Sequence, residues 1–339
     1  MMKSNKMKKR VSLMWLGALL AVLIFTAACG SGNSDEEDDL GSRVARINDT
    51  YLYSFDVAWY LPYAQEALAW DYMEMFGEWT FDISREFRDG QTFGRAMLEE
   101  AVRMAAMTVI MDDFARGHGV VLSALDLETI ENQIDAFIDE FGLDGFYEEI
   151  AADGFQSRAH FRNFFHSRFL LETLLDDIFI NIHEYQFFLP HLDMLAAKHI
   201  LASFENFMSS EEAEGFASAL LERIQAGEDF DALMLTYTQD PGIAAWPEGY
   251  TFVAGSMVPE FEMATRALEI GEISGLVHSS FGIHIIKRVE PVLQNIMAPH
   301  GLSAEDVIIM AIFDAFEEMV GNAEITFLPA LDEIEIKLD

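Results

Sequence analysis

The sequence predicts an α+β fold of two domains, a small antiparallel sheet with surrounding helices inserted in a mostly helical domain. Three observations predict it. Apolar residues recur every three or four positions from about 94 to 118 and again from 125 to 182, the spacing of helices that bury one face. From residue 193 the pattern changes to strand, helix, helix, loop, helix, strand, strand, an order that suits a compact domain of mixed layers. The 339 residues, 51% of them apolar, are ample for two cores.

In chain order, Lys3, Lys6, Lys8, Lys9 and Arg10 precede an apolar run from Val11 to Phe25, which Thr26-Ala27-Ala28-Cys29 closes. This is the layout of a secretory signal over 1–28, too short for a membrane span. Cys29 is the one cysteine, so no internal disulfide can form, and it looks like the lipidated first residue of a mature bacterial lipoprotein. Thr26 departs from such signals, which usually carry Leu there, and the alternative is an ordinary signal with an incidental cysteine. Residues 29–42, with "GSGNSDEEDDLGS", have nothing to bury and read as a flexible tether. The expected location is the cell membrane, lipid-anchored on its extracytoplasmic face.

The helical domain is expected over 43–192. Val44 and Ile47 alternate as in a short strand, Asn48-Asp49 turns, and a helix follows directly. Gly117-His118-Gly119 and Gly142 interrupt the later helices. Phe137, Phe141, Phe146, Phe155, Phe161, Phe164, Phe165 and Phe169 lie at spacings that mark a core stripe. With 28 Phe and 18 Met in all, some are left for an adaptable binding surface. The compact α+β domain is expected over 193–292. It comprises a strand at 195–203, a helix capped by Ser209-Ser210-Glu211-Glu212 and ending at Gly227, and a second helix from Asp229 to Tyr237. A Gly/Pro loop to Gly249, a helix over 259–268, and strands at 273–278 and 282–290 complete it. Residues 293–339 hold an amphipathic helix, "SAEDVIIMAIFDAFEEMVG", and the extended "ITFLPALDEIEIKL", too little to fold alone and expected to pack on the first domain.

The formal net charge of −37 includes five basic residues of the signal. Such a field repels phosphate backbones and argues against nucleic-acid binding, whereas basic polypeptides are attracted. Solubility or a saline habitat would explain the same charge without any partner.

In "SFGIHIIKRVE", Ile283 and Ile285 share one strand face and His284 shares the other with Ile286. A lone histidine there is ordinarily a hydrogen-bonded core residue. Elsewhere stand "AAKHILAS", "AGEDFDALMLTYTQDPG", "GYTFVAGSMVPEFEMATRAL" and "GEISGLVHSSFGIHIIKRVE". In that order and spacing they resemble the parvulin-type (PpiC) peptidyl-prolyl isomerase domain over essentially its whole length. The surrounding layout resembles the PrsA-like foldases of Gram-positive bacteria, so the helical domain is expected to be a SurA/PrsA-like chaperone domain.

The resemblance implies a peptidyl-prolyl cis-trans isomerase that assists exported proteins, with unfolded X-Pro-containing chains as partners and no cofactor or metal. It implies that His199 and His284 meet on adjacent strands at the site floor, with Asp240 beside them in an electrostatic role and Ser279 supplying a hydroxyl. Phe252, Met257 and Phe261 would form the apolar pocket for the proline ring. Two departures stand out. "AWPEGYTF" replaces the glycine-rich run usual before the aromatic, so Gly249 supplies no apolar wall. Ser203, Phe204 and Glu205 stand where phosphate-selective members carry basic residues. Two rival readings remain: a holdase whose isomerase site is idle, and a metal site built from the two histidines and the carboxylate. A homodimer is left open.

Overall fold

A computed structural model describes residues 40–293 and 296–338, so Cys29 and the basic and apolar run before it lie outside the described residues. Among the described residues no helix is long and apolar enough to cross a membrane. Two compact units result: one runs to Gln186 and resumes at Phe313, the other is Phe187–Ile312.

In the first unit β1 (Arg43–Ile47) and β2 (Thr50–Tyr53) form a hairpin, with Ile47 opposite Thr50 across Asn48-Asp49. Asn48 takes φ 50°, a left-handed conformation that asparagine tolerates. The sequence alone predicts a helix straight after this turn. Instead Thr50–Tyr53 pairs back on β1 and buries Leu52, and α1 (Ser54–Phe76) begins only where the Asp56 carboxylate accepts the Tyr53 N–H. A short hairpin of β3 (Glu86–Arg88) and β4 (Gln91–Thr92), unmarked in the sequence, leads into α2 (Phe93–Gly117). Next come α3 (Ala124–Ala152), broken where Gly142 leaves helical geometry at φ 71°, and α4 (Arg158–Ile180). Thr92, Ser123 and Ser157 cap α2, α3 and α4 with their hydroxyls, satisfying main-chain donors that have no helical partner. Most of the phenylalanine stripe is core: Phe146 and Phe155 are buried with Ile130, Ile134 and Ile150, and Phe137, Phe161, Phe164, Phe165 and Phe169 pack around them. Phe141 remains 41% exposed.

The second unit opens with the short α5 (Leu189–Leu192) and β5 (Leu195–Ser203). Helices α6 (Ser210–Gln225) and α7 (Phe230–Tyr237) follow, then β6 (Tyr250–Phe252) and α8 (Pro259–Ala267). Strands β7 (Ile273–His278), β8 (Gly282–Arg288) and β9 (Ile296–Met297) complete a sheet of order β7-β8-β5-β6-β9. The pairings are antiparallel except β6 with β9. Strand β5 lies at the centre and is buried on both faces, which is why it reads as a nearly continuous apolar run. One face meets α6 and α7 through Ile200, Leu220, Phe230, Leu233 and Ile285, and the other holds Leu195, Ala197, Phe252, Phe261 and Ile286. The alternation expected of β8 therefore holds. Sequence alone ends this domain at 292 and omits β6 and β9, because strands of three and two residues carry no readable period; Ile296, 7% exposed, closes the edge beside β6.

The boundary between the units falls inside α9 (Ala304–Asn322). In the first unit Phe316 of α9 packs edge-on against Phe114 at 5.2 Å, and β10 (Ile325–Phe327) pairs with β1.

Candidate active site

The sheet register builds the site. Leu201 of β5 lies opposite His284 of β8 and His199 opposite Ile286, so the two histidines are diagonal neighbours on one face. Their rings lie nearly parallel, 14° apart, with Nδ1 to Nδ1 at 3.0 Å. Both are buried, His199 at 7% and His284 at 4% exposure. The loop after α7 is pinned to β5: Leu201 N–H donates to the Thr238 hydroxyl, Ser203 N–H to the Gln239 amide oxygen, and Gln239 N–H to the Leu201 carbonyl. Pro241 then opens a short 3₁₀ turn that Asp240 caps by accepting the Gly242 N–H at 3.0 Å. The other Asp240 oxygen accepts from His199 Nε2 at 2.9 Å and from the Tyr250 hydroxyl at 2.5 Å. At the far end Ser279 Oγ lies 2.6 Å from His284 Nε2.

Phe261 sets its ring edge-on to both imidazoles, 5.1 Å from His199 and 5.4 Å from His284. Met257 and Trp246 are half-buried against the cluster that contains Phe261. The resemblance assigns Phe252 to the proline pocket, yet it has 0% exposure. On β6, whose three residues are all buried, it braces Phe261, 5.9 Å away, from within the core. Tyr250 has no role assigned from the sequence. A tyrosine in a three-residue strand reads as core, and only the fold shows its hydroxyl on Asp240. The ring nitrogens of His199 and His284 face each other, Asp240 and Ser279, and among the described residues no group of three or more His, Cys, Asp or Glu is placed to hold a metal ion.

The electrostatics follow from these contacts. Burial alone would raise Asp240, but the hydrogen bonds from His199, Tyr250 and Gly242 outweigh it and hold the carboxyl at about 2. Burial, with the His199 ring beside it, pushes His284 down to about 3. Burial and the Asp240 charge push the Tyr250 phenol up. With Asp240 ionised it only accepts, so His199 Nε2 carries a hydrogen. Neutral His284 carries one hydrogen. If that is on Nδ1, His284 donates to His199 and Ser279 donates to His284. If it is on Nε2, His284 donates to Ser279 and accepts from an imidazolium at His199. One added proton reverses the two links beyond His199, while the link from His199 to Asp240 keeps its direction.

A depressed histidine value means that the unfolded chain takes up a proton which the folded site refuses. Stability contributed here is intact above about 6.5, the ordinary histidine value, and is lost as pH falls from there toward about 3. The low Asp240 value removes further stability as pH falls from 3.8 to about 2. The expected result is that His284 ring resonances hold their neutral positions from pH 8 down to about 4.5. An NMR titration showing a midpoint near the ordinary histidine value would contradict it.

Comparison with known proteins places these residues in a wider set. Residues 189–292 match the PPIC-type PPIase domain. Chaperone SurA of Alkalilimnicola ehrlichii is 44% identical over 94 residues, 27% of this chain and 22% of that protein. Foldase protein PrsA of Halalkalibacterium halodurans is 30% identical over 210 residues, covering 58% of this chain and 57% of that protein. The crystal structure of PrsA from Bacillus anthracis covers 70% of this chain and 99% of its own at 20% identity, with a TM-score of 0.26. The chain spans about a quarter of the length of most of the curated relatives it matches.

Proposed function

We propose, from the PPIC-type peptidyl-prolyl isomerase domain that residues 189–292 carry, that the protein is an extracytoplasmic foldase. In this reading it is a peptidyl-prolyl cis-trans isomerase and chaperone of exported proteins, with the helical unit as its chaperone domain and a lipid on Cys29 as its anchor. The observation that carries the proposal is the buried His199–His284 pair, tied at one end to ionised Asp240 and covered by Phe261.

The chemistry needs such a site. An X-Pro bond resists rotation by about 18–20 kcal/mol because nitrogen shares its lone pair with the carbonyl. No bond breaks during isomerisation. A catalyst has to hold the proline, remove water from the amide and favour the twisted form. Met257, Trp246 and the edge of Phe261 offer the apolar grip, and a less polar setting disfavours the charge-separated planar amide. An ionised Asp240 beside the carbonyl disfavours that planar form further, since twisting withdraws negative charge from the oxygen. The histidine pair and Tyr250 hold Asp240 in place, and Ser279 fixes the outer end of the pair.

The expected result is that the full chain accelerates the proline-limited refolding of an unfolded client and suppresses its aggregation. It should fractionate with membranes when expressed in a bacterium that lipidates exported proteins, and Cys29→Ser should release it. Refolding at the uncatalysed rate would sink the isomerase reading. Retention of a signal-cleaved Cys29→Ser protein in membranes would sink the anchor.

A further inference from the structure

Beside the hairpin of the first unit lies an open groove of about 500 Å³, lined by all four residues of β2, by α2 and α4, and by the segment after α2. Strand β2 is the outer strand of its sheet, whose order is β10-β1-β2. Ile47 and Thr50 flank the two-residue turn as a hydrogen-bonded pair, so the next pair, Arg46 and Tyr51, is of the other kind. The Tyr51 N–H and C=O therefore point away from β1. Tyr51 thus offers an outward donor and acceptor, whereas the Tyr53 N–H already donates to Asp56. Unpaired edges of this sort recruit extended chains unless something blunts them.

The walls beside the edge are apolar and acidic. Val121 is 62% exposed and Leu127 39% exposed, and both line the groove. Asp56 and Asp112 line it as well, while Arg116 is shared between Asp112 and Asp113. Burial raises Asp56 to about 6, and it raises Asp112 in spite of the ion pair with Arg116. His166, also on the wall, is pushed down by burial and adds little positive charge.

We propose that β2 and this groove dock an extended client segment that alternates apolar and basic side chains, which adds to the sheet as a further strand. Main-chain pairing supplies affinity without demanding one sequence, the apolar side chains settle on Val121 and Leu127, and the basic ones meet Asp56 and Asp112. This rests on the foldase reading and gives its chaperone unit a specific point of capture.

The test uses the full chain and a fluorescent eight-residue peptide alternating valine and lysine, followed by anisotropy at physiological salt. Binding is expected, falling at least tenfold when alternate peptide nitrogens are methylated and again when glutamate replaces lysine. Tyr51→Pro removes the outward N–H at a site where an edge strand accepts proline. Val121→Lys replaces an exposed apolar wall with a charge that repels the lysines. Each variant should bind the peptide at least tenfold more weakly while turning over a short X-Pro peptide at the native rate. Should Tyr51→Pro fail to fold, Val121→Lys and the methylated peptide still decide. Equal binding of the methylated peptide, or unchanged binding by both variants, overturns the proposal. So does a dimer that Tyr51→Pro makes monomeric without loss of peptide binding, which would give the edge to a second copy. Aggregation suppression that survives both variants removes this site alone, whereas its absence in the native chain removes the foldase reading.

Discussion

Gly282→Ala is expected to destabilise the second unit by about 3 kcal/mol or more, through strain and overpacking at one strand end. Gly282 pairs with Ser203 at φ 149°, a conformation that L side chains rarely adopt. A Cβ there would stand 2.2 Å from the Ala202 carbonyl oxygen and 2.9 Å from the Ser203 Cα. Both are main chain of the central strand, so no side chain can swing aside. The two strands would have to separate close to His284. The Gly282 carbonyl, which accepts the Ser279 N–H at 2.9 Å, would move as well and take Ser279 from the His284 ring. Gly275, on β7, is the control: a Cβ there meets nothing within 4 Å, and Gly275→Ala should fall within about 0.5 kcal/mol of native. Amide exchange of β5 and β8 reports this unit by itself. Equal protection in the two variants would contradict the expectation.

How much was legible in the sequence depended on whether a residue's role was local. The long helices follow from a repeating apolar period, and four of them from hydroxyl caps at Thr92, Ser123, Ser157 and Ser209, signals that lie within the helix and its first turn. His199, Asp240, Ser279 and His284 could be named together because four phrases resemble one family, and the structure brings all four into one chain of hydrogen bonds. Other features were set by distant partners. Thr50–Tyr53 has an apolar spacing that suits a helix, but pairing with β1 and burial of Leu52 outweigh that weak preference. β9 exists only because β6 lies beside it. Phe252 and Phe261 are indistinguishable as aromatic residues near the motif; both are buried, at 0% and 3% exposure, and only the fold shows that Phe261 sets its ring against the two imidazoles. Tyr250 matters through its last atom, which a pattern of apolar residues does not register.

The second large effect concerns the charge and the grip together. Asp240 is held ionised by three hydrogen bonds, and Asp240→Asn keeps the size and one acceptor oxygen while removing the charge. If that charge acts on the twisting amide, its loss should lower kcat by about a hundredfold, the scale of deleting one electrostatic contact at a reacting group. Met257 is half-buried at the edge of the core, so Met257→Ala should mainly raise KM by thinning the apolar wall. Neither change touches the strand pairing, so the unit should remain folded. His284 differs, because its ring is enclosed between partners on both sides and its removal would disturb stability and activity together. The decisive measurement is therefore kcat/KM for a short peptide with one X-Pro bond, taken on the full-length Asp240→Asn, Met257→Ala double variant by NMR exchange. Amide protection of β5 and β8 is recorded on the same sample. The account predicts native protection with kcat/KM lowered at least about a hundredfold. Native protection with native kcat/KM would contradict it and leave a client-holding protein whose isomerase site is idle.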